Sequence, residues 1–150
     1  MKLTLHTDYA LRMLIFLAVR DGRQVTVSDV ATTYGLSRNH LLKVALNLGR
    51  LGYIRTTRGR SGGIALAKRP EDINLGEVVR HMEDGFALVD CMSDGRACAI
   101  SRACRLKGIV GMALDAFMAV FDRFTLADIA GNTEALESLF DLNQGVGKAA

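Results

Sequence analysis

The stretch "SDVATTYGLSRNHLLKVALNLGRL", residues 28–51, predicts two helices joined by a tight turn. Ser28 and Ser37 are residue types that favour the start of a helix, and Gly35 is the type that most often ends one. In the second helix apolar residues recur at helical spacing, which predicts a buried face made of Leu41, Ala45, Leu48 and Leu51. A short helix, a glycine turn and a second helix capped by serine are typical of a helix-turn-helix.

The outward face of the second helix carries polar and basic side chains. In a helix-turn-helix, side chains from the first turns of the second helix reach base edges, while Lys and Arg engage phosphates. This arrangement predicts a DNA-binding surface. We expect DNA contacts from six residues of the two helices: Ser28, Ser37, Arg38, Asn39, His40 and Lys43.

Two short β-type runs follow, "YIRTT" from residue 53 and "GIALA" from residue 63, with the glycine-rich stretch "RGRSGG" between them. This pattern predicts a hairpin whose turn carries Arg58 and Arg60, and arginines suit the narrow minor groove of DNA. A glycine-rich loop can also bind a nucleotide phosphate, but the Lys-Ser/Thr ending and the following helix of such loops are missing. We therefore predict a mainly α fold with a small β-hairpin wing (α+β), a winged helix-turn-helix.

The formal net charge of +3 hides a strong asymmetry along the chain. Residues 36–69 contain no Asp or Glu, so all 16 acidic residues lie outside this block. A block of one sign within a folded segment is typical of a surface that binds a polyanion, and a merely solvated basic face is the simpler alternative. Its basic residues are Arg38, Lys43, Arg50, Arg55, Arg58, Arg60, Lys68 and Arg69.

Length and composition indicate a globular protein. The chain has 150 residues, of which 49% are hydrophobic and 23% charged, enough for one domain or a small domain with an appendage. No stretch reaches the roughly 18 apolar residues of a membrane helix. The N-terminal "LRMLIFLAV" lacks a cleavage site after it, so we expect a cytoplasmic protein whose first helix is capped by Thr7 and ends near Arg20.

All three cysteines, Cys91, Cys98 and Cys104, lie within one polar segment. An odd cysteine count disfavours a secreted disulfide framework, and the neighbouring Arg and Lys side chains favour thiolates. Zinc sites usually show closer cysteine pairs and four ligands, whereas a bulkier iron–sulfur cluster suits the wider spacing seen here. A cluster is favoured, while zinc, a thiol switch and structural cysteines stay open as alternatives.

An apolar helix is predicted from Leu106 onward, with an apolar stripe that a monomer of this size could hardly cover. Dimerisation through the stripe is expected, with an ordinary core helix as the alternative. The predicted organisation is a DNA-binding domain at 1–74, a linking helix and cysteine loop at 75–104, a dimerisation helix and C-terminal helices at 105–140, and a flexible tail at 141–150. The stripe consists of Ile109, Val110, Ala113, Phe117, Val120, Phe121 and Phe124.

Four segments together resemble the IscR/NsrR/RirA family of winged-helix iron–sulfur transcription regulators. They are "LTLHTDYALRMLIFLA" near the N-terminus, "YGLSRNHLLKV" in the helix-turn-helix, "RGRSGGIALAK" in the wing, and the three cysteines with "ACRLK". The resemblance covers nearly the whole chain. It implies that Cys91, Cys98 and Cys104 hold a cluster near a dimer interface, and that the state of the cluster controls DNA binding.

The fourth ligand separates the branches of this family. In IscR-like members a histidine follows the last cysteine by three residues, and here Lys107 occupies that position. In NsrR-like members an aspartate near the start of the first helix ligates the cluster of the other subunit, and Asp8 matches it. We expect Arg12, four residues further along the helix, to form an ion pair with Asp8. Glu83 is a further neighbour of the site and, with His6 and His81, a competing fourth ligand.

The resemblance is strongest to the NsrR-like branch. It implies a [4Fe–4S] cluster, with [2Fe–2S] as the alternative, and nitric oxide as the signal that releases a two-fold-symmetric DNA operator from a homodimeric repressor. The alternative is an iron- or redox-responsive regulator of the RirA/IscR type. No membrane partner is expected. An enzyme is not expected either, because no nucleophile motif or substrate-binding signature accompanies the Cys, His and Asp residues.

Overall fold

Seven α-helices and one two-stranded hairpin make up the part of the chain that the computed structural model describes, residues 2–59, 62–92 and 98–147. The mainly α fold with a hairpin wing is therefore confirmed. In chain order the elements are α1 (Leu5–Val19), α2 (Val27–Tyr34), α3 (Arg38–Arg50), β1 (Ile54–Thr57), β2 (Gly63–Leu66), α4 (Leu75–Met82), α5 (Leu106–Phe121), α6 (Leu126–Ala130) and α7 (Thr133–Gly147), with 3₁₀ turns at Pro70–Asp72 and Asp90–Met92.

Helices α2 and α3 form the predicted helix-turn-helix. Gly35 ends α2 in the left-handed conformation, with φ of 63°, where a side chain would be strained. Ser37 is the residue before α3, as predicted, although its side chain makes no capping hydrogen bond. The buried face of α3 consists of Leu41, Val44, Ala45 and Leu48.

Two of the predicted helix starts were wrong by two or three residues. Helix α2 is capped by Thr26 and not by Ser28, because Thr26 and Asp29 form a reciprocal capping box. Helix α1 is capped by Thr4, whose side chain accepts a hydrogen bond from the backbone N–H of Thr7. Thr7 is instead fully buried inside the first turn of α1. In both cases the residue that caps the helix is a threonine two or three positions upstream of the predicted one.

The wing is an antiparallel hairpin of β1 and β2, with Ile54 opposite Leu66. It is fastened to the segment before α2, because the N–H of Ile64 donates to the carbonyl oxygen of Val25 at 2.7 Å. A Cβ atom on Gly63 would lie 2.5 Å from that same oxygen. Glycine at position 63 therefore permits the close approach of the wing to the helical part of the domain.

Helix α1 runs through the middle of the core. Ala10, Met13 and Leu14 are completely buried, and Phe16 and Leu17 nearly so. The residues around them come from α2, α3, the wing, α4, α6 and α7. Because the helix-turn-helix, the wing and the C-terminal helices pack on this one helix, they share a single hydrophobic core.

Helix α4 is tied to the end of α5 by an ion pair. The guanidinium of Arg80 donates to both carboxylate oxygens of Asp122, at 2.6 and 2.7 Å. This bonding holds the pKa of Asp122 below its usual range. Asp122 also lies directly against the backbone of Gly76, where any side chain on residue 76 would overlap its carboxylate. The junction between α4 and α5 therefore has a fixed geometry.

Helix α7 packs on the back of the helix-turn-helix. Phe140 is buried against Phe16 and Tyr34, with ring centroids 4.9 and 5.6 Å away. Arg20 forms an ion pair with Asp141. A flexible tail was predicted at 141–150, whereas α7 continues through Gly147; residues 148–150 lie outside the described ranges. The helix continues because Phe140 anchors it and the Gln144 amide donates to Thr33 Oγ1 at 3.1 Å.

Within the described residues, no helix combines the length and the apolar character needed to cross a membrane.

We predict that Gly63→Ala lowers the free energy of unfolding by about 1–3 kcal/mol, because the new methyl group meets the Val25 carbonyl and forces the wing outward. Thermal denaturation of the purified variant measures this change. Gly85→Ala is the matched control, since a Cβ atom there meets nothing within 4 Å. Equal stability of the two variants would contradict the tight contact at Gly63.

Candidate functional site

The solvent face of α3 presents the side chains that the sequence predicted for DNA. Arg38, Asn39, His40 and Lys43 are all exposed and lie outside the buried face of α3, to which Leu41 belongs. Ser37 is exposed immediately before them, and Ser28 is exposed near the start of α2. The structure thus brings the six predicted residues of the two helices to the outside of the helix-turn-helix.

Helix α1 supports α3 from behind through polar and ring contacts. His6 Nε2 lies 3.2 Å from the amide nitrogen of Asn47, and the rings of Tyr9 and His40 are 6.4 Å apart. Asn47 also donates to the sulfur of Met82 on α4, at 3.6 Å. These contacts join residues 31 to 41 positions apart in the chain, so no local sequence pattern indicates them. They fix the orientation of α3 relative to α1.

Helix α2 is attached to α1 at a second point. The hydroxyl of Tyr34 donates to the carbonyl oxygen of Arg12 at 3.2 Å, and the Arg12 guanidinium lies 5.8 Å from the centre of the Tyr34 ring. Burial raises the pKa of Tyr34 to about 12, so its hydroxyl stays protonated and remains a donor. Both helices of the helix-turn-helix are therefore held by the first three turns of α1.

The positive charge of this face is not neutralised by carboxylates. In the described ranges, every ion pair involves Arg12, Arg20, Arg23, Arg69 or Arg80, and none of these five lies on α3 or the wing strands. Arg58 is exposed beside the turn of the hairpin. Arg60 lies outside the described residues. An uncompensated basic face of this kind attracts the phosphates of a nucleic acid.

The three cysteines are free thiols between α4 and α5. Cys91 is half-buried in the 3₁₀ turn at Asp90–Met92, Cys98 is exposed, and Cys104 is half-buried two residues before α5. Three free thiols in one short segment are the donor type that an iron–sulfur cluster requires, so the residues fit that group chemically. Among the residues that the structure describes, however, no three potential ligands gather at one point of the single chain.

The carboxylate of Asp8 is held by Arg12, as the sequence predicted. Arg12 Nε donates to one oxygen at 3.0 Å, and Nη2 lies 3.0 Å from the other. This two-point geometry fixes the orientation of the carboxylate. The Asp8 side chain is 38% exposed, so its carboxylate is accessible from solvent.

The other three acid and histidine candidates already have partners. Glu83 Oε1 accepts hydrogen bonds from the backbone N–H and the hydroxyl of Thr4, at 2.7 and 3.1 Å, and so ties the end of α4 to the start of α1. His81 Nδ1 lies 2.8 Å from the hydroxyl of Tyr53 at the base of the wing. His6 contacts Asn47. None of these contacts was predicted from the sequence.

A cavity of about 540 Å³ lies beside the segment that leads into the cysteines. Its wall is mostly apolar and includes Phe86, Leu88, Phe117 and Phe121. Most of α5 is exposed or half-buried, and only Met118 of this helix is buried. The large exposed apolar side chains of α5 are Leu106, Ile109, Met112 and Val120.

Comparison with known proteins identifies the family of this chain. Residues 3–132 match the model of the Rrf2 family, described as an iron-dependent transcriptional regulator. The chain is 49% identical over 141 residues to the HTH-type transcriptional regulator NsrR of Bacillus licheniformis, covering 93% of this chain and 99% of the relative. It is also 49% identical over 146 residues to NsrR of Bacillus subtilis, covering 96% of this chain and all of the relative.

Solved structures agree with this assignment. The structure of T. potens IscR matches with a TM-score of 0.70 at 25% identity, covering 91% of this chain and 90% of that one. CymR, the global cysteine regulator of B. subtilis, matches with a TM-score of 0.67 at 26% identity, covering 87% and 97%. These relatives are regulators and not enzymes, as the sequence predicted. The chain, a transcriptional regulator of the NsrR type, belongs to the Rrf2 family.

Proposed function

We propose that the chain is a dimeric iron–sulfur repressor whose cluster state controls operator binding and whose signal is nitric oxide. The observation that carries the proposal is the position of three free cysteines between the DNA-binding half and the exposed apolar helix α5. The identity to regulators named NsrR over nearly the whole chain supports it. Its site of action is the cytoplasm, where the DNA lies.

The DNA partner is a two-fold-symmetric double-stranded operator. A patch of large apolar side chains on α5 is typical of a protein interface, and a two-fold dimer presents two copies of α3 to two half-sites. In each half-site Arg38, Asn39, His40 and Lys43 face the major groove, and Arg58 and Arg60 face the minor groove. Ser28 and Ser37 lie at the edge of the same surface.

The cofactor is an iron–sulfur cluster, with [4Fe–4S] favoured over [2Fe–2S]. Cys91, Cys98 and Cys104 would hold it, with Asp8 of the partner subunit as the fourth ligand. When bound, the cluster supplies iron that reacts with nitric oxide. Arg12 orients the carboxylate of Asp8 through its two-point contact, and Glu83 holds the start of the same helix through Thr4.

A second candidate is an iron- or redox-responsive regulator of the RirA/IscR type. The description of the matching family as iron-dependent favours it, as does the likeness to T. potens IscR. It uses the same cysteines and the same DNA surface, and it differs only in the signal.

We predict that protein purified without oxygen contains iron and sulfide and is brown. Changing Cys91, Cys98 or Cys104 to Ser removes one thiolate and should abolish most of the bound iron, as iron and sulfide assays and the visible spectrum measure. Met92→Leu is the matched control, because it removes a sulfur atom from the same 3₁₀ turn without removing a thiol. Zinc without iron or sulfide in the unmodified protein would defeat the cluster proposal.

We predict that stoichiometric nitric oxide releases the operator from cluster-loaded protein. Fluorescence anisotropy of a labelled operator duplex in anaerobic buffer measures the release, and cluster-free protein is the control. Release by an iron chelator but not by nitric oxide would favour the RirA/IscR-type regulator. Tight binding by the cluster-free protein, unaffected by nitric oxide, would contradict both candidates.

We predict that Asp8 acts across the dimer. A mixed dimer pairs one subunit carrying Asp8→Ala with a partner carrying Cys91→Ser. Ligation in trans leaves one complete site, because the three cysteines of the first subunit meet the intact Asp8 of the second. Ligation within a subunit leaves none. The rate and stoichiometry of the reaction with nitric oxide provide the readout.

The control is a mixed dimer in which the first subunit carries Asp21→Ala and keeps Asp8. This change removes an exposed carboxylate from the turn after α1. For the mixed dimer with Asp8→Ala, we expect one site per dimer that reacts with nitric oxide as the unmodified protein does. Two uniformly altered sites would rule out ligation in trans.

A further inference from the structure

One hydrogen bond connects the outward faces of the two helices in the helix-turn-helix. Arg38 Nε donates to Ser28 Oγ at 2.9 Å. Arg38 is the first residue of α3, and Ser28 is the second residue of α2. Both side chains are exposed, so this contact lies on the surface that faces DNA and not in the core.

The contact uses the inner nitrogen of the Arg38 guanidinium. The Nη1 and Nη2 groups, which form the outer fork, are left to donate elsewhere. An arginine reads guanine in the major groove through two parallel hydrogen bonds to O6 and N7. An arginine whose Nε is already fixed has fewer rotamers to lose when its fork engages a base. The contact therefore orders the side chain before DNA arrives.

The neighbouring carboxylate is kept away from Arg38. Asp29 follows Ser28 in the chain, but its Oδ2 accepts from the N–H and the hydroxyl of Thr26, at 2.7 and 2.8 Å. None of the ion pairs within the described ranges includes Arg38. Ser28 is a neutral anchor, so it orients the guanidinium without cancelling the charge that DNA attracts.

We infer that Ser28 is a positioning residue that orients Arg38 to read a guanine in the major groove, and does not contact DNA itself. The inference rests on the proposed placement of α3 in the major groove. It assigns the base specificity of one position in each half-site to a pair of residues from two different helices. The competing role for Ser28 is a direct hydrogen bond to a phosphate, which carries no sequence information.

In vitro selection from a pool of random-sequence DNA duplexes tests this inference with the full chain. The unmodified protein should select a symmetric motif that contains a guanine in each half. Arg38→Ala and Ser28→Ala should both lose preference at that same base pair and keep it elsewhere. Ser28→Thr retains the hydroxyl and should restore the preference, whereas Thr32→Ala, an exposed change on the same helix, should leave the motif unaltered.

The ratio of the affinities for the selected duplex and for a duplex with that guanine replaced measures the strength of the base preference. The ratio of the two affinities should decrease by a factor of about five to a hundred with Arg38→Ala, because one bidentate base contact is lost. It should fall about three- to tenfold with Ser28→Ala, as one hydrogen bond is lost. Adding Ser28→Ala to Arg38→Ala should have no further effect, because the residue that Ser28 positions is absent.

Two results would overturn the inference. If Ser28→Ala weakens binding to the selected and the random duplex equally, and does so in the Arg38→Ala background as well, Ser28 contacts phosphate. If Ser28→Ala leaves the motif unchanged, the contact with Arg38 has no role in recognition. In both cases the unmodified protein still selects its motif and the proposed function stands. Failure of the unmodified protein to select any motif would overturn both.

Discussion

The burial of helix α1 is the constraint on which the other elements depend. Ala10, Met13 and Leu14 have no solvent exposure, and elements from both halves of the chain pack around them. Removing such side chains from water contributes about 1.5–3 kcal/mol for each large one, so the position of α1 cannot shift without a large loss of stability. Its outer edge nevertheless carries Asp8 and Arg12, which are half-buried and available at the surface. The same helix thus lies at the centre of the core and carries Asp8, the proposed fourth ligand of the cluster.

Side-chain contacts between α1 and the helix-turn-helix fix the position of the proposed DNA-binding surface relative to the core. Tyr34 of α2 bonds to the backbone of Arg12, and Asn47 of α3 contacts His6. Glu83, at the C-terminal end of α4, accepts hydrogen bonds from Thr4, the residue that caps α1. A displacement of the first turns of α1 would therefore also displace α2, α3 and the start of the segment that leads to the cysteines. Close-packed elements transmit such shifts because they cannot deform independently.

Charge is distributed so that the core contacts and the DNA surface do not compete. The carboxylates near the helix-turn-helix are occupied: Asp29 caps α2, and Asp141 pairs with Arg20 on the back of the domain. The basic side chains of α3 are left without carboxylate partners among the described residues. Within the described ranges, the hydrogen-bond partner of the Arg38 side chain is a neutral hydroxyl, that of Ser28. The proposed DNA-binding face therefore keeps its positive charge, and this charge costs the folded domain little stability because the side chains are solvated.

Local sequence patterns determined the helix-turn-helix, the wing and the apolar helix α5. Gly35 marks a left-handed turn, Leu41 and Leu48 repeat at helical spacing, and Arg12 lies one helical turn from Asp8; each of these signals acts over a few residues. The capping box of Thr26 and Asp29 is also a local signal, because its two residues are three positions apart, and the choice of Ser28 overlooked it. The extension of α7 beyond Phe140 and the contact between Ser28 and Arg38 were decided only by the tertiary structure. They depend on groups brought together from distant positions, such as Phe140 with Phe16. Periodicity and capping preferences are energies of neighbouring residues, whereas these contacts exist only after the chain has closed around α1.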